Sequence, residues 1–290
     1  MTFRELHYAD LPLVLPNAWD VASALALRDA GFPALGTTSF GVAASHGVPD
    51  GGRSTRDDNV ALAAALHPLG CYLSLDIEDG YSSDPDEVAE YVGRLPVDGI
   101  NIEDSTAEAL IEPELHMAKI AAIKAQSPGM FVNARVDTYW LGERAEVGET
   151  LARAARYVEA GADGVFVPGV IEPDVVRTLA AAIDRPLNVL PIPGYPPAAL
   201  AELGVRRVSC GSLPYRAAMH AAVRAATAVR DGLTFPDATP YADMQASLVG
   251  YTNGPLAQVI TRYPWFHLGE FWQYYRPVRP VAPHQADGND

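Results

Sequence analysis

Eight short apolar runs, each followed by a polar turn and an amphipathic Ala-rich segment, limit most strongly how this chain can fold. The runs are LPLVLPN (11–17), ALGTTS (34–39), CYLSLDIE (71–78), GINIED (99–104), MFVNARVD (130–137), DGVFVPG (163–169), LNVLPIPG (187–194) and RRVSCGS (206–212). Near-continuous apolar strands that alternate with helices indicate a parallel sheet covered on its faces. Eight such units predict an α/β fold of the (β/α)8 TIM-barrel type. A doubly wound open sheet is the alternative.

The chain divides into two parts by composition. We expect one barrel domain over residues 1–232 and a C-terminal extension over residues 233–290, which contains the aromatic segment YPWFHLGEFWQYYRP (263–277). An aromatic-rich extension of this kind either folds back on its own barrel or packs on a neighbouring subunit.

Net charge, hydropathy and cysteine content indicate which partners and which compartment this protein can have. The chain has 36 Asp and Glu against 21 Lys and Arg, a formal net charge of -15, which argues against binding a nucleic-acid backbone. No apolar run approaches the ~20 residues of a membrane span, and the N-terminus lacks the pattern of a signal peptide. Cys71 and Cys210 form no spaced cluster, which fits a reducing compartment. These features predict a cytoplasmic enzyme without a nucleic-acid or membrane partner.

Ionisable side chains are concentrated where the third, fourth and fifth runs end, and in a parallel barrel this face carries the active site. They are Asp76, Glu78, Asp79, Glu103, Asp104, Arg135 and Asp137. Carboxylates packed together at neutral pH repel one another unless they are protonated or compensated, and a divalent cation is the simplest compensation. Because the available ligands are oxygens, with no imidazole or thiolate at a suitable spacing, Mg2+ is preferred over zinc.

The acids are not equally good candidates for metal ligands. Asp76 and Glu78 are two residues apart, so both side chains leave the same face of a strand and can reach one site. Asp79, Asp104 and Asp137 are expected instead as helix N-caps or surface-turn residues.

Arg135 lies among apolar neighbours, so its head must enter a polar pocket or pair with an acid. Its planar fork suits a substrate carboxylate, and a structural ion pair is the alternative. The backbone N–H groups of the turn Thr38–Phe40, which includes Ser39, are candidates for holding a second carboxylate or a phosphonate. Trp19 and Asn133, in the first and fifth strand regions, are further candidates for substrate binding.

Four segments together resemble the isocitrate lyase/phosphoenolpyruvate mutase superfamily. They are PNAWDVASALALRDAGFPALGTTSFGVAASHGVPDGG (16–52), SLDIEDGYS (74–82), GINIEDS (99–105) and VNARVD (132–137), in the family's order and spacing. The resemblance covers roughly residues 11–232. It implies a (β/α)8 barrel and a homo-oligomer, a tetramer or dimer, in which the C-terminal extension packs on a neighbouring subunit.

The resemblance also implies roles for individual residues. Asp76 and Glu78 match the acids that serve the Mg2+ ion, with Glu78 in place of the commoner Asp. The remaining matches are Asp50 and Glu103 as further acids near the metal, Arg135 as the substrate-binding arginine, and Thr38, Ser39 and Phe40 as the turn that binds the substrate carboxylate. The turn departs from the family pattern, because Ser39 and Phe40 replace small residues.

The loop after the fourth run departs further. Lyases of the family carry a Lys-Lys-Cys-Gly-His loop there, whose Cys is the acid/base of carbon–carbon cleavage, and phosphonate mutases place Lys and Asn in it. This chain reads STAEALIEP (105–113), so cleavage of isocitrate or 2-methylisocitrate by that mechanism is not expected. Glu112 and Pro113 instead open the next helix. In the sixth run, Pro168 and Gly169 stand where members often have His or Glu.

We therefore expect a Mg2+-dependent carbon–carbon lyase that acts on a small 2-oxo or 2-hydroxy (di)carboxylic acid. Cleavage or decarboxylation would pass through a metal-stabilised enolate, with Arg135 orienting the substrate. Glu103, Tyr81 or a loop hydroxyl would serve as the acid/base. The alternatives are a phosphonate mutase or P–C hydrolase, which would need more positive charge than one arginine and one metal ion, and a barrel that binds metal and ligand without turnover.

Overall fold

The strands and helices follow the predicted alternation in a computed structural model that describes residues 1–254. Its strands are β1 (Leu13–Leu15), β2 (Asn17–Ala18), β3 (Ala34–Thr37), β4 (Tyr72–Asp76), β5 (Gly99–Glu103), β6 (Ser105–Thr106), β7 (Ala109–Leu110), β8 (Phe131–Arg135), β9 (Gly164–Phe166), β10 (Leu187–Val189) and β11 (Val205–Ser209). Its α-helices are α1 (Phe3–Leu6), α2 (Val21–Asp29), α3 (Ser39–Ser45), α4 (Arg56–Leu66), α5 (Pro85–Gly93), α6 (Pro113–Gln126), α7 (Thr138–Leu141), α8 (Val147–Glu159), α9 (Pro173–Ala182), α10 (Pro197–Glu202), α11 (Leu213–Asp231) and α12 (Tyr241–Asn253).

A split first strand closes the sheet into a ring. Nine strands form one sheet in the order β1-β11-β10-β9-β8-β5-β4-β3-β2. β1 and β2 are two parts of one extended segment that is interrupted at Pro16, which has no backbone N–H for the ladder. β1 pairs in parallel with β11 and β2 pairs in parallel with β3, so the same segment joins both edges. The (β/α)8 barrel is confirmed, and the open-sheet alternative is wrong.

Local sequence signals set the helix ends. α2 begins after Asp20, whose Oδ1 accepts a hydrogen bond from Ser23 N at 2.7 Å. α6 begins after Glu112 with Pro113 in its first turn, as predicted. α8 is followed by Gly161 with a φ of 107°, a conformation that is accessible without strain only to glycine.

The inside of the barrel is apolar at one end and polar toward the other. Phe3, Leu15 and Phe131 form part of an apolar cluster, and His7 stacks on Phe131 with 4.2 Å between ring centroids. Burial lowers the pKa of His7 to about 3, so this histidine is neutral at physiological pH. The N-terminal end of the barrel is therefore closed by an uncharged plug.

Next to this plug, a polar layer crosses the lumen. Arg207 on β11 is buried and donates to Ser74 Oγ on β4 at 3.3 Å and to Asn101 Oδ1 on β5 at 3.1 Å. Asn133 on β8 donates to the same Asn101 oxygen at 2.8 Å. Gly164 on β9 leaves room for Asn133, because a Cβ there would stand 2.8 Å from Asn133 Oδ1. Side chains two residues further along these strands point the same way and form the mouth of the barrel.

The beginning of the C-terminal extension packs on its own barrel. Tyr251 on α12 donates to the Ala65 carbonyl at 2.8 Å, and Ser247 donates to Asp29 at 2.8 Å. The aromatic segment 263–277 lies outside the described residues, so its packing on a neighbouring subunit stays a prediction. None of the helices within residues 1–254 is long and apolar enough to cross a membrane.

Candidate active site

Asp76 is a buried carboxyl group with one free oxygen. It ends β4, where its backbone N–H donates to Thr37 Oγ1 at 2.9 Å. Its Oδ2 accepts a 3.4 Å hydrogen bond from Ser39 Oγ. Its Oδ1 is buried and has no hydrogen-bond partner among the described residues. An unpartnered buried carboxylate oxygen is costly, so this position favours a bound cation or a proton.

The acids around Asp76 strengthen this preference for positive charge. Burial raises the pKa of Asp76 to about 7, Arg135 opposes the rise, and the charges of Asp50 and Glu78 add to it. Burial likewise raises the pKa of the Asp50 carboxyl, although the residue as a whole is exposed, and that of Glu78. The mouth thus holds acids that a divalent cation would keep ionised.

Glu78 is held by the loop that precedes α4. Its backbone has a φ of 49°, and its carboxylate accepts from Arg53 N at 2.8 Å and from Thr55 Oγ1 at 2.9 Å. The Tyr81 hydroxyl lies behind these contacts, against Thr55 and the Asn59 amide. Burial raises the pKa of Tyr81 well above its ordinary value. These contacts favour support of Glu78 by Tyr81 over the acid–base role predicted from sequence.

Arg135 ends β8 between two acids and two aromatic rings. Its Nη1 forms an ion pair with Glu103, and its Nε donates to Asp137 Oδ1 at 2.5 Å. Its Cζ lies 5.6 Å from the ring centroid of Trp140 and 5.8 Å from that of Phe166. Burial opposes its charge, but Asp137 and Glu103 outweigh burial and raise the pKa of Arg135. The guanidinium is therefore a fixed cation at the mouth that is paired with acids, and its contact with a substrate carboxylate stays a prediction.

Glu103 is a buried acid whose pKa is shifted by its surroundings. It ends β5 and is buried beside Arg135. Burial raises its pKa well above the ordinary range, while the charge of Arg135 works against the rise. The raised pKa makes Glu103 a candidate for proton transfer, the role that general acid–base catalysis needs.

The turn at the start of α3 offers fewer backbone donors than the sequence predicted. The Thr38 N–H donates to the Ala18 carbonyl at 3.2 Å, so it is already used in the contact with β2. Its Oγ1 caps α3 by accepting from Gly41 N at 3.3 Å. Ser39 is the part of this turn that faces Asp76.

Two predicted substrate contacts, Trp19 and Phe40, pack on the first turn of α11. Both rings meet Tyr215 edge-to-face, with centroid distances of 5.2 Å for Trp19 and 5.9 Å for Phe40. Phe40 keeps 39% of its surface exposed. Asn133, the third, belongs to the polar layer beneath Arg135 and donates to Asn101.

The expectation that Asp79, Asp104 and Asp137 are surface-turn or helix-capping residues is wrong, because all three side chains are buried. Asp79 Oδ2 forms a 3.1 Å ion pair with Lys119, and Asp104 Oδ2 forms a 3.0 Å ion pair with Arg153. Asp137 does precede α7, but its side chain makes no capping hydrogen bond and contacts Arg135 instead.

The loop after β5 is a short hairpin made by β6 and β7. Ser105 Oγ donates to Asp137 Oδ2 at 2.5 Å, and Thr106 Oγ1 donates to Asp79 Oδ2 at 2.7 Å. At the tip, Ala107 and Glu108 have φ values of 49° and 61°, which cost non-glycine residues roughly 1–2 kcal/mol each. Both loop hydroxyls that the sequence offered for proton transfer are thus engaged in holding the hairpin.

Sequence reasoning missed several supporting residues of the site. Arg53 and Thr55 lie 25 and 23 positions before Glu78, and no local pattern links them. Arg207 had a usable signal, because it interrupts the apolar run RRVSCGS in the same way that Arg135 interrupts FVNARVD.

The donor set suits Mg2+ without forming a closed metal cage. Across the part of the chain that the structure describes, no three His, Cys, Asp or Glu side chains are grouped as a metal centre. Mg2+ characteristically takes one or two carboxylates and completes its shell with water and substrate oxygens. The free Oδ1 of Asp76 and the neighbouring Asp50 fit that requirement, while Glu78 and Glu103 already have protein partners.

A parallel (β/α)8 barrel whose mouth gathers buried acids and one arginine on adjacent strands defines the structural class. The family model for phosphoenolpyruvate phosphomutase matches residues 3–230. The chain belongs to the isocitrate lyase/phosphoenolpyruvate mutase superfamily, whose members are lyases, mutases and hydrolases that act on small acids.

Individual relatives agree with this assignment. An uncharacterized protein of Mycobacterium tuberculosis is 59% identical over 253 residues, which are 87% of this chain and 98% of that protein. The 2-methylisocitrate lyase of Salmonella typhimurium is 30% identical over 251 residues, 79% of this chain and 83% of the lyase. A phosphonopyruvate hydrolase, solved in complex with oxalate and Mg2+, shares the fold with a TM-score of 0.74 and 24% identity over 91% of this chain and 100% of its own.

Proposed function

We propose that this protein is a Mg2+-dependent carbon–carbon lyase or decarboxylase that acts on a small 2-oxo or 2-hydroxy acid. The observation that carries the proposal is the buried, unpartnered Oδ1 of Asp76, at a mouth that also presents the Arg135 guanidinium. One group favours a cation and the other a carboxylate. The oxalate and Mg2+ of the phosphonopyruvate hydrolase support a ligand with this head group.

In this proposal Asp76 and Asp50 hold the metal ion, and Glu78 and Glu103 complete its surroundings. The ion, when bound, supplies polarisation of the substrate oxygen next to the carboxylate. Its retention depends on Thr55 and Arg53, which fix the Glu78 carboxylate with hydrogen bonds of 2.9 and 2.8 Å.

The protein's own groups would divide the remaining work. Arg135 binds and orients the substrate carboxylate through Nη2, because its Nε and Nη1 already donate to Asp137 and Glu103. Ser39 Oγ, which contacts Asp76, lies where it can donate to a substrate oxygen. With a 2-hydroxy acid, Glu103 would take the hydroxyl proton as the carbon–carbon bond breaks, which leaves a 2-oxo acid and the enolate of the second fragment, and it would return that proton to the enolate carbon. With a 2-oxo acid that has a carboxylate on C3, the bond to that carboxylate would break, CO2 would leave, and a protonated Glu103 would give its proton to the enolate carbon and recover it from water.

The test is turnover of a defined panel. Purified protein with Mg2+ is incubated with oxaloacetate, 2-alkylmalates and 2-methylisocitrate and followed by proton NMR. We expect release of pyruvate or another 2-oxo acid that stops in EDTA and in Asp76→Asn. Tyr81→Phe is the matched control, and its rate is expected within about threefold of the wild type, because its hydroxyl supports the site from behind. Turnover that persists in EDTA would contradict the metal assignment.

Phosphonate chemistry is the second candidate, and the match to the phosphoenolpyruvate phosphomutase family favours it. Phosphonopyruvate in the same incubations separates the two, because mutase or P–C hydrolase activity moves the phosphorus resonance. Saturable Mg2+ binding without turnover of any compound would instead favour a barrel that only binds ligand.

A further inference from the structure

Strained backbone in this protein is concentrated beyond the ends of three adjacent strands, β3, β4 and β5. Among the described residues, six non-glycine residues have a positive φ, a conformation that crowds the side chain against the backbone. Five of the six lie in three segments: the loop between α3 and α4 (Arg53), the turn after β4 (Glu78 and Tyr81) and the hairpin of β6 and β7 (Ala107 and Glu108). Strain of this kind persists only where surrounding contacts hold it, and it is common at functional sites.

One carboxylate, that of Asp79, contacts all three segments. Its Oδ1 accepts from Tyr81 N in the turn at 3.2 Å and from Arg53 Nε in the loop at 3.0 Å. Its Oδ2 accepts from Thr106 Oγ1 of the hairpin at 2.7 Å and forms an ion pair with Arg53. Lys119 on α6 donates to the Asp79 carbonyl at 2.7 Å and to Oδ2 at 3.1 Å. Asp79 therefore joins the loop, the turn and the hairpin at a single buried point.

The charge of Asp79 depends on these donors. Burial works against ionisation, but the hydrogen bonds from Arg53 and Thr106 and the contact with Lys119 outweigh it and hold the pKa of Asp79 below its ordinary value. Arg53 supplies two of the five hydrogen bonds that the carboxylate accepts, and charge-assisted bonds of this kind are the strong ones. Departure of Arg53 would leave the carboxylate free to turn toward Lys119 and away from Thr106.

Arg53 also holds the side of the mouth where the metal ion is proposed. Its backbone N–H donates to the Glu78 carboxylate at 2.8 Å while its side chain contacts Asp79. Glu78 accepts a second hydrogen bond from Thr55 Oγ1 of the same loop at 2.9 Å. The loop also carries Asp50, three residues before Arg53. A movement of this loop would therefore displace Arg53 from both carboxylates at once.

The hairpin depends on outside contacts for its position. Each of its strands has only two residues, and a hairpin of that length is not stable alone. On one side, Thr106 donates to Asp79. On the opposite side, Leu110 N donates to Glu143 Oε2 at 3.2 Å. Because these two contacts share no partner, each can be removed without the other.

We propose that Asp79 is a positioning residue that couples the hairpin to the loop between α3 and α4. While the loop is in place, Arg53 holds the Asp79 carboxylate toward Thr106, and the hairpin stays against the mouth. When Asp50 and Asp76 hold a metal ion, the loop is fixed and, through Asp79, the hairpin is fixed as well. This inference rests on the proposed function for the metal ion and adds to it a residue that acts through Arg53.

Hydrogen–deuterium exchange of the full-length protein, followed by mass spectrometry in EDTA and in Mg2+, measures this coupling. Two segments report it: residues 46–55, which form the loop, and residues 104–111, which contain the hairpin. We expect Mg2+ to slow exchange about tenfold in the loop and at least about fivefold in the hairpin, which is a coupling of ordinary size between two sites.

Substitutions in the hairpin separate the coupling from a merely structural role. Thr106→Val removes the hydrogen bond to Asp79 and keeps the shape of the side chain. In this variant Mg2+ is expected to slow the loop as in the wild type, whereas the response of the hairpin falls below about twofold. Thr106→Ser keeps the hydroxyl and is expected to restore the response. Asp79 itself is left unchanged, because its substitution would leave Lys119 buried without an anion.

Glu143→Ala is the matched control, because it removes the contact on the opposite side of the hairpin. We expect faster exchange in the hairpin in EDTA, since one of its contacts is lost. The slowing of that exchange by Mg2+ is expected to persist, because the contact between Thr106 and Asp79 remains.

The outcomes distinguish this inference from the proposed function. A hairpin response that persists in Thr106→Val would overturn the inference, because the coupling would then pass through the contact of Ser105 with Asp137. Loss of the response in Glu143→Ala would also overturn it. If Mg2+ protects only one of the two segments of the wild type, the inference is wrong while the proposed function stands. If Mg2+ protects neither segment, the proposed metal site fails and this inference fails with it.

Discussion

The unpartnered oxygen of Asp76 makes the stability of the protein depend on pH and on bound cations. Burial raises the pKa of this carboxyl from 3.8 to about 7, so the folded protein holds the proton more tightly than the unfolded chain does. The stability that this group contributes is therefore fully present below about pH 4 and is lost as the pH rises through 7. The raised pKa values of Asp50 and Glu78 act in the same direction.

We predict that in EDTA the Tm of the wild type, measured relative to that of Asp76→Asn, falls by about 3–6 °C between pH 5.5 and pH 8, and that Mg2+ raises the wild-type Tm at pH 8. The comparison with Asp76→Asn is needed because the buried neutral His7 and His116 gain stability over the same range. Differential scanning fluorimetry with and without Mg2+ measures both effects. Asp76→Asn removes the titrating group and is expected to flatten the dependence. An equal dependence on pH in the wild type and in Asp76→Asn would contradict the prediction.

At Arg135 the geometry of the head matters as well as its charge. The guanidinium contacts Glu103 through Nη1 and Asp137 through Nε, and a lysine ammonium cannot span both acids while also binding a substrate carboxylate. We predict that Arg135→Lys weakens Mg2+-dependent oxalate binding at least about 30-fold, as measured by calorimetry. Oxalate affinity within about threefold of the wild type would show that charge alone suffices at this position.

The contact between α8 and the end of β5 depends on a buried ion pair. Asp104 accepts from Arg153 at 3.0 Å and from the Tyr157 hydroxyl at 2.7 Å. Burial raises the pKa of Asp104 to about 6, with Asp137 adding to the rise, so the carboxylate is ionised at pH 7.5 largely because its partners remain.

We predict that Arg153→Met lowers the free energy of unfolding by about 3–5 kcal/mol, because it leaves a buried charge without a cation. In the double variant with Asp104→Asn the charge is removed as well, and much of the loss is expected to return. Urea denaturation at pH 7.5 measures the wild type, the single variants Arg153→Met and Asp104→Asn, and the double variant. Strictly additive losses in the double variant would show that the two side chains do not act as a pair.

At the scale of the whole molecule, the barrel and the charged residues at its mouth could be predicted, because both follow from the repeated alternation of strand and helix along the chain. Side chains alternate between the two faces of a strand, and this alternation alone is enough to bring Asp76 and Arg135 together at the barrel mouth. The pairing of Asp104 with Arg153 and of Asp79 with Lys119 spans 49 and 40 residues. Such contacts depend on how helices pack on the sheet, so the sequence misled us into placing these acids at the surface.

The outer surface leads to a prediction about assembly. α11 exposes Met219, Val223 and Val229, with 45%, 67% and 65% of their surfaces accessible. We predict a homo-oligomer, a tetramer or dimer, in which this face is covered, and light scattering after size-exclusion chromatography measures the mass. Val223→Glu with Val229→Glu is expected to shift the protein toward monomer, whereas a wild type that is already monomeric at micromolar concentration would contradict the assignment. A cytoplasmic location stays a prediction.

The split first strand has a consequence for how the protein is made. Leu15 pairs with Ser209, so the segment that closes the ring waits for a partner synthesised roughly 190 residues later, which at ordinary elongation rates takes on the order of ten seconds or more. Until the ribosome has released β11, the growing sheet has two open edges that invite pairing with other chains. The nascent chain is therefore prone to aggregation while its sheet is open, and pairing of β1 with β11 ends that stage by closing the ring.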